Sequence, residues 1–190
     1  MRRFTSAIAA VVAVTTLGCS HDPVSAVRLV PEGPMAGLGA LNGSVTGRGR
    51  ANLSVGPMDI EVMAKQHDDG TAKGTFRHFI VTSTGTIDFT SEVTCLAVDA
   101  ALGRAWLGGK VLTNNSTRPD FITSITEPGD EIWFRLADLG EGGNASAPDR
   151  STGPGFEGSL GFITSAEYCA ARVWPNEPVL LVSGNLQVHD

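Results

Sequence analysis

Residues 58–65 (Met-Asp-Ile-Glu-Val-Met-Ala-Lys) alternate apolar and polar side chains, which places Ile60, Val62 and Ala64 on one face of an extended strand. A turn signal follows, His67-Asp68-Asp69-Gly70-Thr71, and a second alternating run occupies 72–82. A three-residue loop at 68–70, with Gly70 left-handed, joins the two runs as a bulged hairpin. That loop sets the register. Ile60 faces His78, Val62 faces Phe76 and Ala64 faces Gly74 on the inward side. Glu61 faces Arg77 on the solvent side, an opposite-charge pair worth tenths of a kcal/mol.

The pattern continues along the chain. Ser83-Thr84-Gly85 makes a turn, and 86–98 reads as a long strand with Ile87, Phe89, Val93, Cys95 and Ala97 on one side. Residues 99–103 form the next turn. Residues 104–113 return as a strand in which Gly108-Gly109 marks a bend or a close backbone approach. After a polar loop at 114–120, the segments 121–126, 131–138 and 179–189 complete the strands. Residues 139–155 (LGEGGNASAPDRSTGPG) predict an exposed loop, and 164–171 a single helical turn. Short alternating runs joined by glycine-rich turns predict an all-β domain, an antiparallel barrel or sandwich of about 8–10 strands.

Composition agrees with that class. The 190 residues are 42% hydrophobic, enough for a packed core, and carry 23 glycines and 10 prolines, as tight turns require. Lys and Arg total 14 against 20 Asp and Glu, a net charge of −6. An acidic chain with so few lysines offers no phosphate-tracking surface, so no nucleic acid is expected as a partner.

The N-terminus carries an address. Arg2 and Arg3 precede an uncharged run whose most apolar part is 7–14, too short to span a bilayer and suited to a signal peptide. Leu17-Gly18-Cys19 closes it and resembles the lipobox of bacterial lipoproteins, with Thr16 where leucine is usual. The resemblance implies cleavage after residue 18, lipidation of Cys19, and a membrane partnership through that anchor. Ser20 resembles the outer-membrane sorting pattern. The chain then divides into a signal peptide at 1–18, a lipidated cysteine with a Pro- and Gly-rich tether at 19–41, and one all-β domain at 42–190. A secreted soluble protein is the alternative. With Cys19 lipidated, Cys95 and Cys169 remain, and in an oxidising compartment they are expected to pair as a disulfide.

An ordered set of segments carries one further likeness: 47–76, Val93-Thr94-Cys95-Leu96-Ala97-Val98, Ala105-Trp106-Leu107-Gly108-Gly109, and the ending Ser183-Gly184-Asn185-Leu186-Gln187-Val188-His189. Together they resemble a group of small secreted bacterial proteins that share an all-β domain. The resemblance implies a fold and a secreted address, and no activity.

Candidate chemistry is sparse. No nucleophile elbow or phosphate-cradling glycine pattern occurs in the right context. The hairpin register sends His67 and His78 to opposite faces, roughly 23 Å apart at 3.3 Å per residue, so they cannot share a metal. His21 lies in the tether and His189 beside the terminus. Asp68 and Asp69 suit a turn. Asp138, Glu141 and Asp149, with Asn144, offer hard oxygen ligands on one loop, but their spacing fits no known calcium site and solvated carboxylates are the common case. Trp106 and Trp133 sit at alternating strand positions as packing residues, whereas Trp174, beside Pro175, belongs to a loop. No catalytic, cofactor or metal residue is assigned. The leading expectation is a non-enzymatic, envelope-anchored β domain with a binding or structural role toward a protein or small molecule. A carrier enclosing a small apolar ligand in a barrel comes next, then a hydrolase with an unrecognised carboxylate site.

Overall fold

A computed structural model describes residues 43–122, 126–141 and 147–190, all within one unit that spans Pro34–Asp190. The expected leader at 1–18, Cys19 and the whole expected tether at 19–41 lie outside the described residues.

The hairpin forms as its sequence dictates. Strands β2 (Gly56–Gln66) and β3 (Ala72–Thr82) pair with Ile60 opposite His78, Val62 opposite Phe76, Ala64 opposite Gly74 and Glu61 opposite Arg77. His67 N–H donates to Thr71 O at 2.7 Å, and Gly70 adopts φ 81° in the turn. The partner of Arg77 differs from expectation. Its guanidinium turns from Glu61 to Asp88 on the next strand, making two bonds of 2.8 and 2.9 Å. A fork-on-carboxylate geometry is stronger than a single cross-strand contact.

The remaining strands are β1 (Ser44–Leu53), β4 (Gly85–Asp99), β5 (Arg104–Asn114), β6 (Glu131–Ala137), β7 (Arg150–Ser151), β8 (Gly155–Phe156) and β9 (Val179–His189). All pairings are antiparallel. β1 through β7 neighbour one another in chain order, and β9 inserts between β7 and β1, closing an eight-stranded barrel. The short β8 is an extra strand on the same edge of β6 that β7 uses. Closure removes the edge strands that a sandwich would leave. β1 escapes a sequence reading because Gly47, Gly49, Arg48 and Arg50 dilute its apolar signal.

The lumen is filled by alternating side chains. Met58, Ile60, Phe76, Phe89, Phe134, Leu107, Leu136 and Leu186 are all fully buried, and they belong to one apolar cluster. Eight strands enclose an interior just wide enough for such side chains.

Three expectations are corrected. β4 does not keep one face inward. Its pairing with β5 shifts between Val93 and Cys95, so Ile87, Phe89 and Val93 point into the barrel, then Leu96 and Val98 do. Cys95 and Ala97 are thereby sent to the outer face, where they join a second cluster. One inserted residue flips every later side chain. The segment 121–126 is no strand among its described residues. Pro119 opens a 3-10 turn at Pro119–Phe121, and Asn114 Nδ2 donates to Phe121 O (2.7 Å) and Thr126 O (2.9 Å), closing the loop on itself. Finally, 139–155 is not simply exposed. Asp149 and Ser151 are buried and β7 is built into the barrel wall.

The helical turn is α1 (Ser165–Ala171), started by a capping box in which Thr164 accepts from Glu167 N–H and Glu167 reaches back to Thr164 N–H. It packs outside the barrel on β4, β5 and β6. Gly108 allows that approach, because a Cβ there would sit 2.5 Å from Ser165 Cβ and 2.9 Å from Cys95 Sγ.

Candidate functional site

The residues singled out from sequence fall into three places. Cys95 and Cys169 form a disulfide with Cα atoms 6.2 Å apart, tying β4 to α1 across 74 residues. They lie on the outer face of the barrel, beneath the helix. Trp106, Trp133, Tyr168 and Ala97 surround them, and Trp133 stacks on Tyr168 with centroids 5.7 Å apart. Trp106 and Trp133 are packing residues, as their strand positions imply. Cys19 and His21 lie outside the described residues.

The carboxylates at 138–149 are engaged by donors on and beside β9, with Asp149 buried and Glu141 exposed. Asp149 accepts backbone N–H bonds from Leu139 (2.9 Å) and Leu186 (2.7 Å), and Asp138 accepts from Val188 N–H at 3.0 Å and Gly140 N–H at 2.9 Å. Glu141 accepts from the side-chain amides of Asn185 and Gln187, at 2.9 and 2.5 Å, which hold its carboxyl below the usual range. β7 covers β9 only at Val179 and Leu180, so these side chains satisfy the edge of β9 that no strand reaches. Burial pushes the Asp149 carboxyl up, opposed by its two amide donors. Asn144 lies outside the described residues. Among the described residues, no three His, Cys, Asp or Glu side chains come together as metal ligands.

The histidines separate as the hairpin register requires. His67 is exposed in the turn, whereas His78 is fully buried in the lumen, edge-on to Phe134 at 4.8 Å and Phe76 at 5.8 Å. Neither ring nitrogen has a hydrogen-bond partner, and desolvation pushes its pKa down to about 3. The Ser91 hydroxyl, two positions along β4 from the residue opposite His78, is likewise buried and unpartnered.

A group of charged and aromatic side chains gathers on the outer face of β5, β6 and β7. Arg104 on β5 and Arg150 on β7 flank Ala137 of β6 in one row across the barrel wall. Arg135, two residues back along β6 and opposite Trp106, shares their outward face. Residues 172–178, the strap from α1 to β9, cross this face. Trp106 Nε1 donates to Val173 O at 2.8 Å, and the Arg135 guanidinium donates to Asn176 O at 3.1 Å and to Asn176 Oδ1. Trp174 receives two cations: Arg104 Cζ lies 4.5 Å and Arg135 Cζ 5.5 Å from its ring centroid. Its indole N–H donates to Glu177 Oε1 at 3.2 Å. Glu177 also accepts from Arg150 at 3.1 Å and approaches Arg104 at 3.9 Å.

Two guanidinium groups, those of Arg104 and Arg150, therefore share one carboxylate, and that of Arg135 stands beside them. Arg135 is only 5% exposed and has no carboxylate at ion-pair distance among the described residues, and its Nε and that of Arg150 are buried without partners. The Arg104 guanidinium makes no hydrogen bond among the described residues, although each guanidinium offers five N–H donors. Asp99, opposite Arg104 in the ladder, has turned its carboxylate to cap Leu102 N–H. The available sequence signal was an arginine two positions from a tryptophan on each of two strands, Arg104-Ala105-Trp106 and Trp133-Phe134-Arg135.

No protein-family model, curated protein or solved structure matches the chain.

Proposed function

We propose that this chain is an exported, envelope-anchored β-barrel module of the secreted bacterial kind, which works by binding at its outer surface and not by catalysis. The observation that carries the reading is the filled lumen. Phe76, Phe89, Phe134, Met58 and Leu186 occupy the space that a carrier would reserve for an apolar guest, so a partner is met from outside. The barrel gives such a surface a rigid support. The carboxylates nearest to a hydrolytic site, Asp138, Glu141 and Asp149, are committed to donors around β9, which argues against the hydrolase alternative. The Cys95–Cys169 bridge supports export to an oxidising compartment. Lipidation of Cys19 supplies the membrane partner, with each buried acyl methylene contributing about 0.8 kcal/mol.

Fractionation of cells expressing Cys19→Ala tests the anchor. The substituted chain is expected to lose membrane association and acyl labelling, and a chain that stays membrane-bound with an unchanged mature N-terminus overturns it. Mass spectrometry of organic extracts of the purified barrel tests surface against lumen. A stoichiometric apolar molecule released only on unfolding would establish the carrier instead.

A further inference from the structure

We infer that Arg104, Arg135 and Arg150, with Trp174, form a binding site for a phosphate-monoester dianion, and that Glu177 holds the place of that ligand when it is absent. The inference rests on the reading of the barrel as a surface-binding module and names the ligand.

The chain as a whole is acidic, at −6, yet here two arginines flank a single carboxylate and a third, Arg135, shares the face of Trp174. Among the described residues one carboxylate thus stands against three cations, and Arg135 is buried. A desolvated guanidinium without a counter-charge is costly to a fold unless an anion visits it. The interactions it does make, with the Asn176 backbone and side-chain oxygens, the Tyr168 hydroxyl and the Trp174 ring, are those of neutral partners and leave its charge in place.

Geometry makes the same point. Arg104 and Arg150 come from β5 and β7, on either side of Ala137, and both stay partly exposed, with 31% and 26% of their side chains accessible. The Glu177 carboxylate sits between them and is itself 59% exposed. One carboxylate shared among Trp174 Nε1, Arg150 and a 3.9 Å approach to Arg104 occupies the position an incoming oxyanion would take. It sits on the strap, residues 172–178, and not on the barrel wall. A phosphate monoester carries close to two negative charges at neutral pH and three acceptor oxygens, which match the two cations that flank the Glu177 position, Arg104 and Arg150, and their free N–H donors. A single carboxylate matches neither.

The roles then divide. Arg104 and Arg150 grip the dianion. Arg135 stays beneath the strap as fixed positive charge, and Trp174 lies beside the bound group as its reporter. Glu177 competes. Removing its charge must therefore tighten binding, which is the opposite of what a purely structural ion pair would do.

The test uses the full chain bearing Cys19→Ala, so that no acyl group contributes membrane binding, and titrates inorganic phosphate while following tryptophan fluorescence and binding heat. Trp174→Phe identifies the signal that comes from Trp174. A saturable response is expected, absent with chloride at equal ionic strength. Glu177→Gln should tighten it about fivefold, and Arg104→Gln or Arg150→Gln should weaken it about tenfold, with circular dichroism unchanged. Co-sedimentation with phosphatidylcholine vesicles containing phosphatidic acid, but not with phosphatidylcholine alone, would identify a lipid headgroup as the source. A phosphate response without co-sedimentation would identify a soluble phosphate ester. The inference is overturned if neither the parent chain nor Glu177→Gln responds to phosphate, if Glu177→Gln weakens the response, if Arg104→Gln and Arg150→Gln leave it unchanged, or if succinate binds as tightly. Failure here with an empty lumen in the extraction experiment removes the phosphate assignment and leaves the surface-binding reading standing.

Discussion

His78 makes the stability of this barrel sensitive to mild acid. The imidazole is fully buried between Phe76 and Phe134, without a partner on either nitrogen, and its pKa in the folded chain falls from 6.5 to about 3. The unfolded chain binds the proton at the ordinary value, so between those two pH values it holds more protons than the folded chain does. The stability associated with the neutral ring is intact above about pH 6.5, shrinks as the pH falls through that window, and is fully lost near pH 3. At about 1.4 kcal/mol per pH unit the complete loss is about 5 kcal/mol, and at about pH 4.5 it is about 3 kcal/mol. Urea unfolding at pH 7 and at about pH 4.5, compared between the parent chain and His78→Phe, isolates this contribution because every carboxylate is common to both. His78→Phe should lose about 3 kcal/mol less than the parent on acidification. His78→Leu serves as a second variant should the larger ring overpack the lumen. Both are expected to be at least as stable as the parent at pH 7, since an unpaired buried polar group costs about 1–3 kcal/mol. Equal acid losses in the parent and both variants would refute the reasoning.

Two further outcomes follow from the outer wall of the barrel. Replacing both Cys95 and Cys169 by serine opens a 74-residue loop and should lower stability by up to about 4 kcal/mol in urea unfolding under non-reducing conditions, while an unchanged midpoint would remove the bridge from the energetics. Asp149→Ala strands the buried Leu186 N–H group, with an expected cost of about 1–3 kcal/mol and faster hydrogen exchange at Leu186; retained protection there would show that another group satisfies β9.

How much could be read in advance differs from one element to the next. The β2–β3 hairpin was legible to the residue, because alternation, the Asp-Asp-Gly turn and register are all local properties of about 25 residues. The ends of β9, the packing roles of Trp106 and Trp133, the disulfide and the helical turn at α1 were legible for the same reason or from simple pairing. β1 was not, because its glycines serve the strands that pass beside it and weaken the pattern within it.

Alternation within β2 and β3, and hence which of their side chains share a face, is written in the chain itself, because it depends on the next few residues alone. What those faces meet is set by packing between distant segments. Closure into a barrel required β9 to reach back to β1 across the length of the domain, a pairing that no local pattern encodes. The bulge after Val93 reversed Cys95 and Ala97, and that depended on how β5 lay alongside. The arginine cluster is the extreme case. Arg104, Arg135, Arg150 and Glu177 come from three strands and a strap, and charges so far apart in the chain acquire a common field only when folding brings them together.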